Sequence, residues 1–168
     1  MDEIAIANLL YRYAQYIDSG DFDSAAGLFC HASIKLHDAY EQVTYKELLT
    51  LWQKSIIIYP DGTPKTKHVI TNPIINIQDG TATCHSYYTV MQCTDRLPLQ
   101  AIASGRYYDE FVKIKGEWRY AFRDYSLHDA FGNMSHHSRN HAHASPAQSS
   151  ADNPLWQDSR HLNILEDN

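Results

Sequence analysis

The sequence predicts an α+β fold: helices gathered in the first third of the chain and a long antiparallel-type sheet after it. Two observations carry this. Up to about residue 58, apolar residues recur at three- and four-residue spacing; from residue 65 to about 126 they alternate with polar ones. Turn dipeptides, Asp79-Gly80 and Lys115-Gly116, divide that second region into long strands.

In chain order, residues 2–17 read as a helix. Asp2 suits its N-cap, and Ile6, Leu9, Leu10, Tyr13 and Ile17 fall on one face. Ser19-Gly20-Asp21 breaks it, and Asp21 caps a short second helix with Phe22, Ala25, Ala26 and Phe29 inward. Asp18 therefore sits at the C-terminal end of the first helix, where the helix dipole disfavours a carboxylate. Residues 31–37 alternate as a half-buried strand, and Asp38 to Val43 reads as a turn or short hairpin. Thr44-x-x-Glu47 is a capping-box pattern opening a third helix through about Ile58, with Leu48, Leu51, Trp52, Ser55 and Ile56 as its buried stripe.

The stretch 65–78 reads as a strand interrupted by Pro73, which has no N–H and implies a bulge or an edge. Thr66, His68, Ile70 and Asn72 share one face. Thr81 to Met91 follows, with Ala82, Cys84, Ser86, Tyr88 and Val90 alternating, then a loop at 94–98. Gln100 to Lys115 is another long strand, bent at Gly105, and Trp118 to about Ser126 is the last. Alternation there places Trp118, Tyr120 and Phe122 on one face and Arg119, Ala121 and Arg123 on the outer one, with Asp124 and His128 as candidates for a pocket rim. From Phe131 the composition changes and the apolar periodicity disappears, and 129–168 is expected as a tail, extended or docked on a neighbour. Its His136, His137, His141 and His143 lack the spacing of a metal site, and Pro154-Leu-Trp156 and Leu162 to Leu165 are candidate anchors.

The 168 residues are enough for one domain with a real core. A net charge of −6 without a basic cluster argues against nucleic-acid binding. No apolar run reaches membrane-span length, and the acidic start does not resemble a secretory signal. Three cysteines without a CxxC spacing read as reduced thiols of a cytoplasmic protein. Twelve tyrosines supply rings with polar tips, suited either to a core or to a pocket for an aromatic ligand.

Three motifs carry a family resemblance: Leu10-Tyr-Arg-Tyr-Ala-Gln-Tyr-Ile-Asp-Ser-Gly-Asp-Phe22; Lys67-His-Val-Ile-Thr-Asn72; and Gly105-Arg-Tyr-Tyr-Asp-Glu-Phe111 with Gly116-Glu-Trp118. With the element order, they make residues 1–128 resemble the SnoaL-like, nuclear transport factor 2-like superfamily. The resemblance implies a cone-shaped, curved sheet wrapped round three helices (a cystatin-like α+β barrel) with a deep pocket. It also implies that Asp18 and His68 match the acid–base pair of scytalone dehydratase-like and dehydrochlorinase-like members. Ile17 stands where scytalone dehydratase has a tyrosine, and Arg106 where it has a second histidine.

Three functions follow as expectations. The first is cofactor-independent acid–base catalysis, with neither cofactor nor metal, by a lyase of dehydratase type or a related isomerase or cyclase. Its substrate would be a small apolar, polyketide or aromatic molecule. His68 would move the proton, Asp18 would orient it, and Tyr13, Tyr16, Asn72, Tyr88 and Arg106 would bind substrate oxygens. The second is a non-catalytic small subunit or ligand-binding module resembling the β subunit of aromatic-ring-hydroxylating dioxygenases. The third is a cyclase with Asp18 alone as base and His68 positioning the substrate. A homo-oligomer, dimer or trimer, is implied by resemblance.

Overall fold

In the computed structural model, residues 1–36 and 42–139 are described. Three helices lie in the lap of one curled, unclosed mixed sheet. They are α1 (Asp2–Ser19), α2 (Phe22–Gly27) and α3 (Tyr45–Ser55). The strands are β1 (Ser33–Lys35), β2 (Gln42–Val43), β3 (Thr66–Gln78), β4 (Thr81–Thr94), β5 (Leu97–Ile114), β6 (Glu117–Asp124) and β7 (His128–Phe131). The sheet order is β2-β1-β6-β5-β4-β3, with β7 paired to β5. Every pairing is antiparallel except that of β1 with β6. No helix among the described residues is long and apolar enough to cross a membrane.

Local chemistry accounts for the element ends. Asp2 is not the cap of α1. Met1 is, and the Asp2 carboxylate instead pairs with Lys113 Nζ at 2.8 Å, tying the helix start to β5. The helix stops at Gly20 in the left-handed region (φ 78°), where a side chain would run into the Gly62 carbonyl. Asp21 accepts from the Ser24 N–H at 3.0 Å and starts α2. Thr44 and Glu47 form the expected capping box of α3. That helix ends at Ser55, short of the expected Ile58, because Ile56 turns extended and bridges to Ser138. Leu48 is buried, but Leu51, expected in the same stripe, faces solvent.

Asp79-Gly80 and Lys115-Gly116 take positive φ at both residues, as two-residue hairpin turns require. The expected loop at 94–98 is only the tight turn Asp95-Arg96. The core lies between the helices and the concave sheet face. Ile6, Leu10, Tyr13 and Ile17 of α1 and Phe29 meet Cys84, Tyr88 and Val90 of β4, Tyr107 and Phe111 of β5, and Trp118 and Tyr120 of β6.

Residues 129–139 pack on the domain rather than leaving it. Beyond β7, the Ile57 N–H donates to the His137 carbonyl at 2.9 Å, and Tyr59 Oη and Gln92 Nε2 donate to the His136 carbonyl at 2.7 and 3.0 Å. The expected strand end His37, the Asp38–Glu41 part of the expected turn, and the tail from 140 on, with His141, His143, Pro154–Trp156 and Leu162–Leu165, lie outside the described residues.

Candidate active site

The last turn of α1 is set against the first residues of β3, and this contact brings Asp18 to His68. β3 is an edge strand, so the N–H groups it turns away from β4 have no ladder partner. Asp18 takes one of them: the His68 N–H donates to Oδ2 at 2.8 Å. Its Oδ1 accepts the Thr66 hydroxyl at 2.8 Å and lies 2.7 Å from His68 Nδ1. Thr66 and His68 reach the same carboxylate because period-2 alternation puts them on one face. Both side chains of the dyad are nearly enclosed, His68 8% and Asp18 10% exposed.

These contacts resolve the misfit at the helix terminus: the carboxylate faces donors from the neighbouring strand. Burial pushes the Asp18 carboxyl up. The hydrogen bond and charge of His68, its backbone N–H and the Thr66 hydroxyl outweigh this, so the group ends below the usual carboxylate range. With Nδ1 committed to Asp18, Nε2 is the nitrogen left to take or give a proton.

The other expected site residues separate into two groups. Tyr13 is buried, its ring edge-on to His68 with centroids 6.2 Å apart. Tyr88 is on the concave face of β4, stacked on Tyr107 at 4.5 Å, and Tyr16 packs half-buried against the core. Asn72 does not join them. It sits in the bulge between Thr71 and Ile74, left-handed (φ 52°) and exposed, because Pro73 cannot donate to the ladder. Arg106 also fails to reach the concave face. It lies between the inward Gly105 and Tyr107, so alternation turns it outward, where its Nε is 3.4 Å from Asp129 Oδ1.

Two residues carry more than sequence reading gave them. Arg123, assigned above to the outer surface, is wholly buried. Ala121 is the extra residue of a bulge: Phe111 faces Tyr120, but Glu110 faces Phe122. The phase flips, Phe122 turns out and Arg123 turns in. Its Nε and Nη2 grip Asp109 at 2.6 and 2.8 Å, and the rings of Tyr13, Phe29, Tyr107, Tyr120 and Tyr125 surround its guanidinium at 4.2–5.4 Å. Burial pushes the Asp109 carboxyl up, opposed by Arg123, and the guanidinium stays charged throughout. Trp118, Tyr120 and Phe122 keep the aromatic alternation unbroken, so the β6 sequence carried no signal of the bulge. The second residue is His128, whose Nδ1 lies 2.7 Å from Tyr88 Oη.

An open pocket of about 590 Å³, lined by Asn76, Gln78, Thr83, Glu110 and Val112 among others, lies at the far end of β3 and includes neither dyad residue. No group of three metal-ligating side chains occurs among the described residues.

A curled sheet with three helices in its lap is the cystatin-like fold. The SnoaL-like domain family matches residues 1–124, and the chain belongs to that family. No curated protein sequence matches it. Among solved structures, a candidate scytalone dehydratase from Novosphingobium aromaticivorans is similar at 21% identity and TM-score 0.57, over 73% of this chain and 81% of that one. ActVI-ORFA from Streptomyces coelicolor is similar at 17% identity and TM-score 0.61, over 76% of this chain and 96% of its own. The β subunit of a candidate aromatic-ring-hydroxylating dioxygenase from N. aromaticivorans is similar at 15% identity and TM-score 0.58, over 76% and 88%. These likenesses establish the fold.

Proposed function

We propose that the protein is a cofactor-independent acid–base enzyme, a lyase of dehydratase type or a related isomerase or cyclase. Its substrate is a small, largely apolar molecule bearing a carbonyl group. The observation that carries this reading is the enclosed Asp18–His68 pair, 2.7 Å apart with the carboxylate held by two further donors. His68 Nε2 removes a proton beside the carbonyl, and the Asp18 carboxylate fixes the tautomer and stabilises the imidazolium that forms. Tyr13 of α1, edge-on to His68, offers its hydroxyl to the carbonyl oxygen. Resemblance adds that the protein works as a homo-oligomer.

The test uses two probes. 4-Hydroxy-4-phenyl-2-butanone gives a conjugated, absorbing enone on losing water, while 4-phenyl-2-butanone can only exchange its α-hydrogens with D2O. The protein is expected to accelerate both, and His68→Ala to remove both while leaving the circular dichroism spectrum intact. A protein that accelerates neither these nor ring-fused hydroxyketones is not an acid–base enzyme of this kind. The reading would then pass to a non-catalytic subunit, sought by co-purification of a larger chain. Rate loss in Asp18→Asn far exceeding that in His68→Ala would instead assign the base to Asp18.

A further inference from the structure

The concave face carries a second short contact between proton-bearing groups, which the dyad does not use. Tyr88 Oη and His128 Nδ1 are 2.7 Å apart. Several features of the sheet hold them there. β4 pairs Tyr88 with Gly105 of β5, and β5 pairs Gly105 with His128 of β7, so the three positions form one cross-strand row on one face. Gly105 has no side chain, and the Tyr88 ring lies across it. A Cβ there would come within 2.7 Å of the phenol oxygen and 2.5 Å of the Leu127 carbonyl. The phenol ring is also stacked on that of Tyr107, with centroids 4.5 Å apart. The Ser104 hydroxyl donates to the Tyr88 carbonyl at 3.3 Å.

The row next to this one contains the dyad. His68 pairs with Val90, and Ile70, two residues on, pairs with Tyr88. His68 and Tyr88 are therefore diagonal neighbours on the same face, with Cα atoms about 7–8 Å apart. Between and beside them are the apolar side chains of Ile70, Val90 and Ala103. An imidazole and a phenol thus flank one apolar patch, each backed by a second ionisable group.

Resting on the reading of His68 as base, we propose that Tyr88 is the catalytic acid of the same site and that His128 is the positioning residue that supplies its proton. In an elimination from a β-hydroxyketone, His68 Nε2 takes the α-proton, and the C–H electron pair becomes the new C=C bond. The C–O bond breaks, and the departing oxygen takes the Tyr88 proton and leaves as water. His128, as its imidazolium, returns its Nδ1 proton to the phenolate oxygen and is left as neutral imidazole. His68 then loses its proton to solvent and His128 regains one, so the cycle closes. In the imidazolium form the Nδ1–H of His128 donates to Tyr88 Oη, which leaves the phenolic hydrogen to point at substrate. Burial, with weaker effects from Tyr13 and Asp129, raises the phenol well above its ordinary value, so it remains a proton carrier across the working pH range.

The pair of probes above separates this role from that of the dyad. Proton exchange of 4-phenyl-2-butanone needs only the base, whereas enone formation from 4-hydroxy-4-phenyl-2-butanone needs base and acid. Tyr88→Phe is expected to lower enone formation by roughly 10²–10⁴-fold while exchange stays within a few-fold of wild type. His128→Gln is expected to lower enone formation at least tenfold with the same split. Retained exchange in each variant also reports that the fold and dyad survive. Equal losses in both reactions would make the Tyr88–His128 contact structural, and unchanged enone formation would exclude it from the reaction; either overturns the proposal. Wild-type exchange without enone formation overturns it too and leaves the dyad standing, whereas absence of exchange overturns the dyad reading itself.

Discussion

Asp18 shows how one carboxylate can be useful and stable at once. Its three donors come from Thr66 and from both the ring and the backbone of His68, so it is held low against its own burial. In the unfolded chain it returns to about 3.9. A carboxyl depressed by folding contributes stability that is fully present above the unfolded value. That contribution is lost as pH falls through the lower, folded value. Urea midpoints of wild type and Asp18→Asn should therefore differ by a constant amount near neutrality, and the gap should close as pH drops below about 3.9. The same substitution should slow α-proton exchange of the ketone probe roughly 10²–10⁴-fold, since an amide cannot stabilise the imidazolium. Arg123 makes a different residue-scale prediction. Asp109→Ala leaves a guanidinium charged and unpaired among rings, which should cost about 3–5 kcal/mol in urea unfolding. Replacing both partners, as in Asp109→Leu with Arg123→Met, should recover most of that loss.

Elements were legible where their cause is local. The capping box at Thr44, the cap at Asp21 and the hairpin turn at Asp79-Gly80 involve residues within three of one another, and each formed as read. The contact of Asp18 with His68 was legible only through resemblance, since nothing in their spacing says that a helix end will meet an edge strand. The misreadings of Asn72 and Arg123 share one origin. Each belongs to a bulge: Asn72 lies inside the one between Thr71 and Ile74, and Arg123 follows the one at Ala121, where a single inserted residue reverses every later side chain. Pro73 announced the first bulge but not which way the chain would resume. Nothing in the β6 sequence alone announced the second, because a bulge is decided jointly with the partner strand. Arg106 was misread for another reason: the match to a histidine position was a likeness of sequence, whereas its face was already set by alternation with Gly105 and Tyr107. At this scale Gly105→Ala should be costly. Its methyl group would collide with Tyr88 and the Leu127 carbonyl, which should destabilise the fold by about 1–3 kcal/mol and reduce enone formation more than α-exchange.

The whole molecule leaves part of its sheet bare. Val69, Ile74 and Tyr87 are exposed on the outer face of β3 and β4, at 46%, 63% and 51%. If the self-association implied by resemblance uses this face, sedimentation equilibrium should return a multiple of 19.3 kDa. Val69→Lys with Tyr87→Lys should then return the single-chain mass, while a sheet that stays monomeric in the unaltered protein removes that expectation. The topology also has a temporal meaning. β1 pairs in parallel with β6, and the apolar face of α1 is covered by strands made late in the chain. About one hundred residues separate the end of α1 from the end of β6, which is about 5–20 s of synthesis at ribosomal speed. Through the later part of that interval α1 has α2 and β3 beside it but lacks the β5 and β6 side chains, Tyr107 and Tyr120 among them, that complete its cover. The nascent chain thus shows part of its core to solvent well before the strands that close it exist.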